Sequence, residues 1–148
     1  MRGVMTRYAG LRSVWIILIA VLGAVLANLA IYGIARLAGV EFWFTAAGGP
    51  LQVLPPVLIQ FTAVPLLVGL TVAAIVGHWW RWVFLVALVV AVVLEVGTIF
   101  ALTIPADFDT GSTVALALCH LAMVPFTVAA LLALRARRDA RRSAVTPM

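Results

Sequence analysis

The sequence predicts an all-α membrane protein, a four-transmembrane-helix bundle with both termini cytoplasmic, and three observations carry that prediction. Of its 148 residues 66% are hydrophobic and only 10% charged, a balance that no soluble domain of this length tolerates. Four apolar stretches each reach the ~20 residues that cross ~30 Å of hydrocarbon. The basic residues, all arginine, fall almost entirely on one side of those stretches. Backbone groups in hydrocarbon must be paired within their own segment, so the four stretches are read as helices.

The first helix is expected from about Val14 to Ala35. Arg2, Arg7 and Arg12 precede it and Val25-Leu26-Ala27 resembles a signal cleavage site. The apolar run continues past that site to Ala35, longer than a signal core, so the segment is read as an uncleaved anchor. From Arg36 to Pro56 the chain carries Glu41, Phe42, Trp43 and Phe44, then Gly48, Gly49 and Pro50, and ends in Pro55 and Pro56. Aromatics followed by breakers predict a segment lying on the outer interface, with a lid over a site as the alternative.

The second helix is expected over Val57 to Gly77, and His78, Trp79, Trp80, Arg81 and Trp82 form a short inner connection whose tryptophans suit the interfacial belt. The third runs from Val83 to Ile104. Asp107 and Asp109 in the outer loop, Pro105 to Ser112, are read as a solvated turn rather than a weak cation site. The fourth helix spans Thr113 to Leu134. Residues 1–134 therefore form one transmembrane domain and 135–148 a basic cytoplasmic tail.

Orientation follows from arginine. Arg2, Arg7, Arg12, Arg81, Arg135, Arg137, Arg138, Arg141 and Arg142 fall on one side and Arg36 alone on the other, where Glu41, Asp107 and Asp109 also lie. The tail run is read as setting orientation and binding anionic lipid, with no nucleic acid as partner.

Glu95 is the residue that most needs explaining, because a carboxylate near the middle of a span costs at least ~2.5 kcal/mol and is usually partnered or functional. Asn28, Gln60, Glu95 and His120 place one hydrogen-bonding group in the outer half of each helix, and could meet in a single polar layer. Tyr32 lies one turn outward from Asn28, Thr98 neighbours Glu95 at i+3, and Thr113, His120 and Thr127 recur every seven residues. The simplest arrangement has Glu95 bonded to His120 or Asn28. Cys119, alone in the chain, is read as a small buried hydrophobe; no metal spacing accompanies it and no cofactor is assigned.

Small residues suggest where helices approach closely: Ala20, Ala24 and Ala27 on the first, and Gly69, Ala73 and Gly77 on the second. Gln60 to Pro65 also resembles His120 to Pro125, each with a polar residue five before a Pro, which would fit two related hairpins with Asn28 and Glu95 as counterparts.

Asn28 to Val40, reading NLAIYGIARLAGV, the His120-Leu121 pair within the last helix and the order of helices together resemble an uncharacterised actinobacterial family of four-helix membrane proteins, a domain of unknown function. The resemblance covers most of the chain and implies a fold and no chemistry. Arginine without lysine beside abundant Ala and Val fits a GC-rich bacterial genome, and the expected location is the plasma membrane.

Three function classes follow. The leading one is a structural or accessory membrane protein whose polar layer sets helix register and which assembles with itself or a membrane partner protein. The second is an intramembrane small-molecule binder or enzyme using Glu95 and His120, although no nucleophile motif or phosphate loop assigns catalysis. The third is an oligomeric proton-coupled transporter; the chain is similar in size to the small multidrug-resistance exporters, but their essential glutamate lies in the first helix and Glu95 in the third.

Overall fold

The structure, a computed structural model, describes residues 2–143, with side chains from residue 13 onward. Arg2, Arg7 and Arg12 of the orientation argument, and residues 144–148 of the tail, lie outside the described side chains. Element order is α1 (Arg2–Leu37), β1 (Trp43–Ala46), β2 (Gly49–Gln52), α2 (Pro55–Val76), α3 (Val83–Thr98) with a π-helical turn (Ile99–Thr103) continuing it, and α4 (Thr110–Ser143). Four helices are long and apolar enough to cross a membrane. The protein is an all-α, multi-pass membrane bundle.

Each boundary has a local cause. Pro55 and Pro56 open α2, where the first turn needs no amide donors. Asp109 caps α4, its carboxylate accepting from the amide and hydroxyl of Ser112. The α-helical ladder of the third span widens before Pro105, which has no N–H for the next carbonyl, and the Ile104 amide bonds Ile99 O at 2.8 Å. With 34 residues α4 is about 51 Å long, well beyond ~30 Å of hydrocarbon, so its arginine-rich segment continues the same helix past the bilayer core.

The connection between α1 and α2 folds as a β-hairpin. Trp43 to Ala46 and Gly49 to Gln52 pair antiparallel across a turn at Ala47-Gly48, with Gly49 at φ 116°. This hairpin is fastened at several points. The Phe42 amide donates to Ser112 Oγ at 3.1 Å, the Tyr32 hydroxyl to Val53 O at 3.1 Å, and the Thr45 amide to Asp107 Oδ1 at 2.7 Å. Hydrogen bonds from Thr45 hold the Asp107 carboxyl below the usual aspartate range, and those from Ser112 do the same for Asp109. Both carboxylates are thereby committed to the backbone around them.

Helix α1 packs most extensively on α4 and then α2, and α3 on α4, whereas α2 and α3 touch little. Small residues explain the closest approach. Ala20 and Ala24 are buried, and a Cβ at Gly23 would lie 2.5 Å from Phe126 Cε1. On α2, Ala73 is buried and Gly77 lies against the Phe84 ring, but Gly69 faces open space. The arginine end is tied by Arg137 Nη1, which donates to Ser13 Oγ at 2.8 Å.

Candidate functional site

A stripe at four-residue spacing on α1, Ala20, Ala24, Asn28 and Tyr32, is buried. On α2 the buried stripe is Leu58, Thr62, Leu66 and Leu70. Asn28 and Thr62 therefore meet, and Asn28 Nδ2 donates to Thr62 Oγ1 at 2.9 Å. Thr62 in turn donates its only hydroxyl proton to Leu58 O at 2.8 Å. Thr62 must then be the acceptor from Asn28, which fixes the amide orientation and leaves Asn28 Oδ1 buried with no partner among the described residues.

The third and fourth spans form two more pairs. Glu95 Oε1 accepts from Thr127 Oγ1, and one turn further out Thr98 Oγ1 contacts His120 Nδ1 at 3.1 Å. Thr127 is also within reach of Met123 O at 3.1 Å, so its one proton has two claimants, whereas Thr98 can donate to Glu95 O at 3.0 Å while accepting from His120 Nδ1 in the tautomer that carries a proton there. Glu95 Oε2 is buried without a partner among the described residues. Cys119 Sγ points to Asn28 O at 3.8 Å and is buried.

Of the expected polar residues, Asn28, Glu95, Thr98 and His120 enter three helix-crossing pairs, with Thr62 and Thr127 completing two of them, and the pairs do not join into one network. Glu95 bonds neither His120 nor Asn28. Gln60 is exposed on the outside of α2, because two residues turn it about 200° from Thr62 on a helix. Tyr32 is buried but serves the hairpin, stacking on Phe42 with ring centroids 4.6 Å apart. Thr62 carries no early signal except its place four residues from Leu58 and Leu66.

Because α2 and α3 touch little, a cleft of about 1150 Å³ lies between them, floored by α4. Its walls are apolar along their length. Phe61, Val72, Val86 and Val90 stand exposed at its margins, so it opens sideways, in the direction a bilayer would occupy. Asn28, Thr62, Glu95, Thr98, His120 and Thr127 are among its polar lining residues, and Phe44 and Leu51 of the hairpin border one end. Among the described residues no three His, Cys, Asp or Glu side chains gather as a metal site.

Residues 9–142 match the model of DUF6069, a family of unknown function. The chain belongs to this family. No curated protein and no solved structure matches it. The DUF6069 assignment agrees with the resemblance seen in the sequence and leaves the chemistry of the cleft to be argued from its residues.

Proposed function

We propose that this membrane protein binds one apolar molecule bearing a hydroxyl or amine group in the cleft between α2 and α3. The observation that carries the reading is the pair of buried acceptors left over, Asn28 Oδ1 and Glu95 Oε2, beside an apolar cleft of about 1150 Å³. A buried acceptor without a donor costs ~1–3 kcal/mol. A ligand that brings a donor to either atom and covers the apolar walls would relieve part of that cost, and the volume is ample against the ~300–1,000 Å³ usual for small-molecule sites. The three side-chain pairs already cross the helices, as a purely structural role requires; the two spare acceptors and the cleft are surplus to it.

Native mass spectrometry of protein released gently from its membrane tests this. Dodecanol and its methyl ether serve as added probes. Wild type is expected to retain an apolar adduct or dodecanol, and the ether, which lacks the donor, about tenfold less. Gly69→Phe puts a ring into the cleft from a position with free space around it, and should abolish retention without lowering the melting temperature. Glu95→Gln presents an amide donor in place of an acceptor and should weaken dodecanol alone. Equal retention of both probes, unaffected by Gly69→Phe, would sink the reading.

A further inference from the structure

A second, smaller pocket of about 340 Å³ lies at the arginine end, walled by Ser13, His78 and four arginines of α4, Arg137, Arg138, Arg141 and Arg142. Positions i, i+1, i+4 and i+5 share one helix face, so the sequence alone gathers these four guanidinium groups. Phe84 and Leu134, both buried, line the pocket's apolar side.

Arg138 is the telling member. Its side chain is only 9% exposed, yet Nε is buried with no hydrogen-bond partner among the described residues. Nη1 and Nη2 reach Asp139 Oδ1 and Trp79 O only at 3.4 Å each. Asp139 pairs with Arg138 from one oxygen and lies 3.7 Å from Arg81 Nε with the other, so one carboxylate serves two guanidinium groups and does not reach Nε of Arg138. A nearly buried guanidinium with an idle N–H is costly unless something anionic completes it.

The height of the pocket suggests what that is. Trp79, Trp80 and Trp82, each more than half exposed, place this end at the level of the headgroups, where phosphates lie. The guanidinium edge that carries Nε suits two oxygens of a phosphate held side by side. We propose that this pocket is a binding site for a phosphate group, gripped by Arg138 and surrounded by Arg137, Arg141 and Arg142, with His78 and Ser13 at its wall. The ligand is chemically a phosphate ester, supplied by an anionic lipid headgroup or by free phosphate.

The test compares wild type with Arg138→Lys, Arg141→Gln and Arg135→Gln in nanodiscs of phosphatidylcholine with or without phosphatidic acid, and with inorganic phosphate added to phosphatidylcholine discs. Retained phosphatidic acid is read by mass spectrometry after exchange into detergent, and phosphate binding by calorimetry. Arg135 lies outside the pocket, so its variant reports generic charge. Selective retention that falls about tenfold in Arg138→Lys and Arg141→Gln, but little in Arg135→Gln, supports the site with lipid as the source. Inorganic phosphate binding with the same variant pattern supports it with free phosphate as the source. Arg141 is exposed, so that variant keeps the comparison intact if Arg138→Lys fails to fold. Equal losses in all three variants, or no preference for phosphatidic acid and no phosphate binding, would overturn it.

Discussion

Phe42 has φ 63°, in the region that residues other than glycine rarely occupy, and it is nevertheless fully buried. Its ring stacks on Tyr32, its amide donates to Ser112, and its carbonyl accepts from the Val53 amide at 3.0 Å. These contacts outweigh a conformational cost of ~1 kcal/mol or more. Phe42→Ala should therefore destabilise the fold by about 3 kcal/mol, and Tyr32→Phe, which loses one bond to Val53 O, by about 1 kcal/mol, both read from denaturation in detergent. Glu95 and Asn28 were legible at this scale, because a polar group in a span has to be accounted for. Their partners were not. A helix that is apolar all round gives no periodic signal for its rotation, so Gln60 and Thr62 look equally eligible in sequence until packing turns one outward.

Helices were the readable elements, since length and hydropathy suffice to mark a span. The hairpin was not, because β1 and β2 have only four residues each and β2 opens with Gly49-Pro50, a pair that reads as a breaker. Its stability comes from docking: Thr45 on Asp107, and Phe44 against Phe108 with centroids 5.1 Å apart. That docking makes it sensitive to acid. The Asp107 pKa is lower in the folded protein than the ordinary ~3.9, so the stabilisation is present above that value and is lost as pH falls through the folded one. The Thr45 amide resonance should shift with a midpoint below ~3.9, and Asp107→Asn should remove the titration. A midpoint at or above the ordinary value would show that the carboxylate does not hold the hairpin.

Across the whole molecule the two ends differ in charge. Arg81, Arg135, Arg137, Arg138, Arg141 and Arg142 gather where Arg137 meets Ser13 and Arg138 meets Trp79, while Arg36 alone accompanies Glu41, Asp107 and Asp109 at the hairpin end. Positive charge beside a span is retained on the cytoplasmic side, so the proposed orientation puts the arginine end and both termini inside and the hairpin outside. A phosphate site at the inner headgroup level and a cleft whose Asn28–Thr62 and Thr98–His120 pairs lie nearer the hairpin would then address different depths of the bilayer. Single cysteines at the two ends, in a Cys119→Ala background, decide the matter. Gly48→Cys at the hairpin turn should react with a membrane-impermeant maleimide in intact cells, and Ser143→Cys only after lysis. The opposite pattern would reverse the orientation, and labelling of both positions in intact cells would mean that the arginine bias does not set a single topology.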